Sequence, residues 1–391
     1  MPAVDDALEL HFHSTLSEIE RSDWDGLLSE SDHADYPFLK YDFLSALESA
    51  SAVSAQTGWQ PYHLEVRQTG RCVALMPLYL KSHSYGEYVF DWAWADAYQR
   101  HGLDYYPKLL AAIPFTPATG PRLLLANSSN KAAIEAVVVE QLRARCAALN
   151  ASSLHLLFPE KDVSERWREL GTLQRIAAQY HWFNRDYQSF DDFLARFSSR
   201  KRKNLRKERL RVAEQGLRLE RIEGGAVTPE QWQFFFHCYQ MTYAKRSGHG
   251  GYLNEAFFQA LAKSMPESLL LVLCFHGDTP VAAALNLKDS KTLYGRYWGC
   301  VREYEYLHFE ACYYQGIEYC IEQGLQRFDP GAQGEHKIQR GFEPILTYSN
   351  HWLAHEGFSD AVARFLAQEW PHIKEYLNDA AQLLPFKAES D

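Results

Sequence analysis

A chain of 391 residues is longer than one hydrophobic core comfortably fills, so two domains of ordinary size are expected, each with its own interior. Its 46% hydrophobic and 23% charged residues exclude the disordered and fibrous classes and fit a folded, enzyme-like protein. A formal net charge of -10 argues against a protein that binds nucleic acid over its whole surface, while leaving room for a local basic patch.

The chain opens Met1-Pro-Ala-Val-Asp-Asp-Ala-Leu-Glu-Leu, without the basic and apolar regions of an export signal. No stretch reaches the length of a membrane span, so a soluble cytoplasmic protein is expected. Apolar runs at Tyr62 to Val66 and Cys72 to Leu80 flank the turn Gln68-Thr69-Gly70 and predict a β-hairpin. Tyr88 to Trp94 reads as a third strand, and Ala97 to Ala112 as a helix that stops before Pro114. A strand near Arg122 to Leu125, a helix over Lys131 to Leu149, a strand at Leu154 to Phe158 and a helix over Lys161 to Leu170 follow. The boundary is expected near Tyr180 to Ser189, giving a first domain over 1–185 and a second over 186–391.

The second half opens on Ser198-Ser-Arg-Lys-Arg-Lys-Asn-Leu-Arg-Lys-Glu-Arg-Leu-Arg, a basic run in an otherwise acidic chain. Ser198 or Ser199 is placed to cap a helix there. Either its cations pair with acidic neighbours, or Arg200, Lys201, Lys203, Arg206 and Lys207 form an anion site for the phosphates of a coenzyme or an RNA end. Strands at Leu269 to Phe275, Val281 to Leu287 and Leu293 to Trp298 come next, joined by turns at His276-Gly277-Asp278 and Lys288 to Lys291. A helix over Leu307 to Gln323 carries Phe309, Cys312, Tyr313, Gly316, Ile317 and Cys320 on one face and ends at Gly324. Strands at Leu325 to Asp329 and Pro344 to Leu353 close the half. Three strands precede a helix in both halves, and Gly70-Arg-Cys-Val-Ala-Leu-Met-Pro-Leu occupies the place of Asp278-Thr-Pro-Val-Ala-Ala-Ala-Leu-Asn-Leu. Duplication of a βββαβ unit explains that order most simply.

From Leu293 onward the residues become specific. Leu-Tyr-Gly-Arg-Tyr-Trp-Gly leads to a helix ending Ile317-Glu-Tyr-Cys-Ile-Glu-Gln-Gly, then to Leu325-Gln-Arg-Phe-Asp-Pro-Gly-Ala-Gln-Gly-Glu-His-Lys-Ile-Gln-Arg-Gly-Phe-Glu-Pro. This resembles the second domain of the FemAB-like proteins, relatives of the GNAT acetyltransferases, and the basic run is similar to the helix that opens that domain. With the repeat, the resemblance reaches from about Tyr36 to Leu353. It implies an α/β (α+β) fold of two tandem GNAT-like domains, each a mixed, mostly antiparallel sheet flanked by helices. It implies amide-bond formation, in which an amine on a small molecule or peptide attacks an activated acyl or aminoacyl ester. Fem ligases draw on aminoacyl-tRNA and GNAT enzymes on acyl-CoA, so the donor is a co-substrate and no permanently bound cofactor is expected. The chain departs from both patterns. Val301-Arg-Glu-Tyr-Glu-Tyr-Leu307, where a coenzyme-A loop would fall, has no glycine and holds Glu303 and Glu305, and Asp96-Ala-Tyr-Gln-Arg-His-Gly-Leu in the first half has one glycine at the wrong distance. No long heptad segment stands where Fem ligases carry a coiled coil for tRNA, so the donor stays open between the two.

Acyl transfer to an amine needs a proton acceptor and donors aimed at the developing oxyanion. His308 and Glu310 open the helix after the aromatic strand, and Glu335, His336 and Lys337 lie in the glycine loop. His308 or His336 is the candidate base, with Arg296, Lys337 and Arg340 holding anionic groups; each histidine has an alternative as a hydrogen-bonded structural residue. Asp329 is expected to close its strand and orient its neighbours. In the first half Asp91, Trp92, Trp94, Asp96, Tyr105 and Lys108 are candidates for holding a cationic or sugar-like acceptor, beside the loop Pro114 to Gly120. Alternatively, Trp92 and Trp94 share one strand face and fill the core. Seven scattered cysteines without CxxC spacing indicate neither disulfides nor a zinc ribbon. His351 and His355 lack a third ligand, so no metal is expected. A binding module that keeps the fold without the chemistry, or an RNA-binding protein using the basic helix, are the competing classes of function.

Overall fold

The computed structural model describes residues 8–127, 130–248, 250–332 and 334–387; the reading of Met1 to Ala7, and of Gln333 in the glycine loop, lies outside them. The first half of the chain gives β1 (Leu8–His13), α1 (Arg21–Ser29), α2 (Tyr41–Ser49), β2 (Trp59–Pro61), β3 (His63–Gln68), β4 (Arg71–Met76), β5 (Leu78–Lys81), α3 (Trp92–Arg100), β6 (Lys108–Ala111), β7 (Leu124–Leu125), α4 (Lys131–Ala148), β8 (Ser153–Leu157), α5 (Lys161–Glu169) and β9 (Leu173–Phe183). The second gives α6 (Phe190–Ala195), α7 (Ser199–Glu214), β10 (Leu217–Glu223), α8 (Pro229–Ser247), α9 (Glu255–Ser264), β11 (Leu269–His276), β12 (Thr279–Lys288) and β13 (Thr292–Cys300). There follow α10 (Leu307–Phe309), a π-helical turn (Glu310–Tyr314), α11 (Gln315–Gln323), β14 (Arg327–Asp329), β15 (Glu343–Leu353) and α12 (Glu356–Gln382). No described helix is long and apolar enough to cross a membrane.

The residues gather into two compact units, each drawn from two stretches of chain. Unit 1 holds Met1–Ala177 with Leu346–Lys374, and unit 2 holds Ala178–Ile345 with Glu375–Asp391. The contiguous division at residue 185 therefore differs from these units in lacking their exchanged segments. In unit 2, β10, β11, β12 and β13 are antiparallel neighbours, β13 pairs with β14 in parallel, and β14 pairs antiparallel with the end of β9 through Trp182 and Phe183. In unit 1, β1 pairs with β3 and β3 with β4, β5 pairs antiparallel with β6, β6 runs parallel to β8, and β8 pairs antiparallel with Ser349 to Leu353 of β15. In each unit a helix connects the two strands of a short parallel pair, α4 between β6 and β8 and α11 between β13 and β14, and the strand beside that pair comes from the other half of the sequence.

Local chemistry explains the elements. The expected run Cys72 to Leu80 is cut into β4 and β5 at Pro77, which has no N–H to give a ladder. Helix α8 begins with a capping box between Thr228 and Gln231, has Pro229 in its first turn, and ends at Gly248 in the left-handed conformation. Gly299 lets α8 lie against β13: a Cβ there would stand 1.9 Å from the Cys238 carbonyl oxygen. Unit 2 closes over a core that includes Trp182, Phe193, Tyr314, Ile317, Phe328 and Phe342, all buried.

Two expectations for residues 88–112 are corrected. Tyr88 to Trp94 is not a strand: Trp92 to Arg100 is helical, so Trp92 and Trp94 do not share a strand face, and Trp92 is 41% exposed while Trp94 is buried. The alternating aromatics fit period two, but burial follows Trp94 and Tyr98, four apart on the helix. The helix expected over Ala97 to Ala112 ends at Arg100, Gly102 takes a positive φ, and Lys108 to Ala111 is a fully buried strand after the cis bond Tyr106-Pro107. That strand, β6, rather than Tyr88 to Trp94, is the one that follows β5 in the first half.

Candidate active site

The site of unit 2 begins with an extra residue in a strand. Asn286 faces Gly295 and Leu285 faces Tyr297, so Arg296 is the bulged residue of β13 and its side chain is re-aimed. The parallel pairing of β13 with β14 stops at Tyr294 opposite Asp329. Beyond that pair the strands part, and the carboxyl ends of parallel strands are where open sheets of this kind take ligands. Arg296 sits at the parting: its Nη2 donates to Asp329 Oδ2 at 2.7 Å and its Nη1 to the Gly295 carbonyl at 2.8 Å. The Gly331 N–H donates to Asp329 Oδ1 at 2.9 Å, and His181 Nε2 of β9 lies 3.6 Å from the same oxygen. Burial alone would raise the Asp329 carboxyl, but Arg296, His181 and the Gly331 N–H hold it well below the usual carboxylate range. Burial pushes His181 down to about 4, so its imidazole is neutral at pH 7.

The loop after β14 and the helix after β13 converge beside that pair. Lys337 is buried and donates to the Gly331 carbonyl at 2.6 Å; burial lowers it to about 8 against the pull of Asp329. His336 Nε2 meets the Tyr313 hydroxyl at 2.8 Å, and burial, then Arg340 and Lys337, push this imidazole down to about 4. Its ring packs at 5.4 Å from Phe309 and 6.0 Å from His308, which meets Trp298 edge-on at 5.5 Å. The π-helical turn Glu310–Tyr314 turns Tyr313 toward His336. Arg340 stacks 3.4 Å from the Phe309 ring and pairs with both oxygens of Glu208 on α7 at 2.9 Å. The structure thus brings His308, His336, Lys337 and Arg340 together, with Arg296 next to Lys337 through Asp329.

Glu310 stands elsewhere. It is buried, accepts from Arg209 Nε at 3.0 Å and Nη2 at 2.8 Å, and accepts from Gln315 at 2.8 Å, so its carboxylate is fully engaged. On α7, Lys201 donates to Gln339 and Arg206 pairs with Asp191 at 2.7 Å, while Arg200 and Lys203 are exposed with no side-chain partner among the described residues. The start of the helix after β13 offers little for a pyrophosphate. The Leu307 N–H bonds the Tyr304 carbonyl, and those of Phe309 and Glu310 both bond the Tyr306 carbonyl. Glu303 pairs with Lys245 and Glu305 with Arg211.

In unit 1, three of the six acceptor candidates meet in a buried polar cluster. Lys108 donates to Ser84 at 2.7 Å, to Glu87 at 2.8 Å and to Asp91, and the Tyr105 hydroxyl donates to Asp91 at 2.7 Å. Trp94 packs edge-on against His351 at 4.9 Å, whereas Trp92 is exposed and Asp96 pairs with Arg100 on the surface of α3. Lys81, also buried, is lowered to about 6 by burial despite Glu87, and Glu87 is raised to about 7 by burial despite Lys108. From Tyr105 the chain continues to His155, whose Nδ1 meets His351 Nδ1 at 2.7 Å; Ser153 and Ser349 hydrogen-bond the outer nitrogens at 2.8 and 2.9 Å. His351 therefore pairs with His155 rather than His355. Asp23, Glu65 and Cys72 lie within 4.8 Å of one another, but Arg67 already bridges Glu65 and Asp23 at 2.7 Å.

Sequence reasoning missed His181, Tyr313, Glu208, Lys81, Glu87 and His155. One signal was present: Ser153-Leu-His155 and Ser349-Asn-His351 repeat a Ser-x-His pattern on the two strands that pair. The others are partners that only folding defines.

No curated protein sequence matches the chain significantly. Among solved structures, FemX aligns over 91% of this chain and 100% of its own at 12% identity and a TM-score of 0.52. The C-terminal domain of a putative lysylphosphatidylglycerol synthetase from Agrobacterium fabrum aligns over 89% of this chain and 96% of its own at 10% identity and a TM-score of 0.54. A tandem GNAT protein from the clavulanic acid biosynthesis pathway covers 89% of this chain and 99% of its own at 11% identity and a TM-score of 0.48. The first two likenesses show a shared fold. The FemAB-like family model, described as peptidoglycan biosynthesis/recognition, matches residues 15–388, and the chain belongs to that family.

Proposed function

We propose that this protein is an N-acyltransferase that moves an aminoacyl group from an ester donor of the aminoacyl-tRNA kind onto an amine of a small molecule or peptide, with the chemistry in unit 2. The observation that carries this reading is the Tyr313–His336 hydrogen bond beside buried Lys337, at the point where β13 and β14 part. The acceptor amine enters as the free base, its ammonium proton lost to solvent, and attacks the ester carbonyl. The neutral His336 imidazole takes the second proton from the acidified nitrogen of the tetrahedral intermediate, the oxyanion collapses with departure of the donor oxygen, and an amide remains. The Tyr313 hydroxyl is placed to share the proton with His336 and return it to the leaving oxygen. Lys337, with Arg340 at the rim, supplies positive charge for the carbonyl oxygen or a donor phosphate.

Two observations favour an ester of tRNA over acyl-CoA. The N–H groups at the helix start are bonded to carbonyls and flanked by Glu303 and Glu305, which is poor ground for a pyrophosphate. Arg200 and Lys203 on α7 are free to meet phosphates of a longer polyanion.

The test is to offer the purified protein a mixture of aminoacyl-tRNAs, or of acyl-CoAs, with a pool of amine acceptors. Accelerated deacylation of tRNA with amide formation supports the reading, and thiol release from CoA instead overturns the choice of donor. Turnover of neither leaves a binding module as the function.

A further inference from the structure

Where the start of β9 meets α12, within unit 1, Leu173, Ala363, Leu366, Ala367, Trp370 and Pro371 line a groove of about 540 Å³. That volume is inside the range of roughly 300–1,000 Å³ typical of small-ligand sites. The two neutral polar side chains in its wall are turned inward to partners: Thr172 Oγ1 accepts from Asn350 at 3.0 Å and Gln174 Nε2 donates to Ser164 at 2.9 Å. What the groove offers a ligand is therefore hydrocarbon plus two cations, Arg168 and Lys374. Both are exposed, and neither has a carboxylate partner among the described residues; Lys374 Nζ instead rests 4.6 Å over the Trp370 ring. A neutral apolar ligand would gain nothing from the two cations, whereas an anionic head would, and a folded protein partner would need an interface of about 800 Å² per side, more than such a groove presents.

We propose that this groove binds one single-chain anionic amphiphile, a long-chain fatty carboxylate, with its carboxylate at Arg168 and Lys374 and its chain along Leu366, Ala367 and Trp370. Apolar burial supplies most of the affinity and the two cations select the charged head. The site lies in unit 1 and does not depend on the transferase reading.

Calorimetric titration of the full-length protein with dodecanoate, kept below its aggregation limit, tests the proposal. One saturable site is expected, with hexanoate binding far more weakly because it buries less hydrocarbon. Ala367→Trp should abolish binding by filling the groove from an exposed helix position, and the milder Ala363→Leu should weaken it, each checked for unchanged thermal unfolding. Arg168→Glu with Lys374→Glu should weaken dodecanoate about tenfold or more while leaving dodecanol unaffected. Dodecanoate binding that ignores Ala367→Trp and Ala363→Leu, an equal loss of dodecanol on charge reversal, or sedimentation showing that the groove is closed by a second copy would each overturn it.

Discussion

Arg296 and Asp329, both fully buried at the side chain, meet at 2.7 Å where β13 and β14 part. A guanidinium and a carboxylate out of water are each costly alone, so the pair is strongly coupled. Arg296→Met is expected to destabilise unit 2 by about 3–5 kcal/mol because it strands the carboxylate, and Asp329→Leu should restore much of the loss in the double variant. Denaturant midpoints of the two single variants and the double variant measure this.

Stability should fall early on acidification. Burial depresses His155 to about 3 and His181 to about 4, and His351 lies well below its ordinary value for the same reason. The unfolded chain takes these protons near pH 6.5, whereas the folded chain refuses them. Stability is thus present above about 6.5 and is lost as pH falls toward the folded values, by up to ~1.4 kcal/mol per pH unit for each histidine. Unfolding curves at pH 7.5, 6 and 5 should show this slope, and a flat response over that window would contradict neutral buried imidazoles. The slope should shrink in His181→Asn.

Transfer activity should respond to pH at one end only. His336, at about 4, is already a free base at pH 5, so no rising limb is expected between pH 5 and 7. Lys337 is a cation below about 8, so donor KM should rise as pH passes that value. His336→Asn is expected to lower kcat about 100-fold or more with little effect on donor KM, and Lys337→Met to act on both.

If α7 meets a polyanion, Arg200→Ala and Lys203→Ala should each weaken tRNA binding at low salt and reduce the slope of log K against log salt by about 1 per contact removed. Arg209→Ala should act differently. It unties Glu310 and Glu318, which it bridges at 2.6 to 3.1 Å, and so is expected to lower stability rather than the salt slope.

In unit 1, Lys108→Met leaves Asp91 without its buried cation and Glu87 with Lys81 alone, at 3.8 Å, and should cost about 3–5 kcal/mol. Asp96→Ala, which loses only a surface pair one helical turn away from Arg100, should leave the unfolding midpoint unchanged. NMR should find a single Nδ1 proton shared between His155 and His351, since two facing Nδ1 atoms at 2.7 Å accommodate one hydrogen.

The sequence by itself determined the elements whose signals are local. The apolar runs of β11 to β13 with the turns between them, the helix ending at Gly324 and the glycine loop leading to Lys337 and Arg340 could all be read from neighbours within a few residues, and the stretch from Leu293 onward carries the family resemblance. Residues 88–112 misled because Trp92 and Trp94 satisfy a strand's period, whereas the helix they form buries Trp94 and Tyr98 and exposes Trp92, and the burial of Trp94 against His351, far along the chain, is what separates the two. Tertiary structure alone decided which charges are partners. Glu310 and Glu208 are both carboxylates on helical turns, yet one is spent on Arg209 and the other on Arg340, and no spacing rule distinguishes them. The exchange of β9 and β15 was equally hidden, because a strand's sequence records which face is apolar but not which edge its backbone will join.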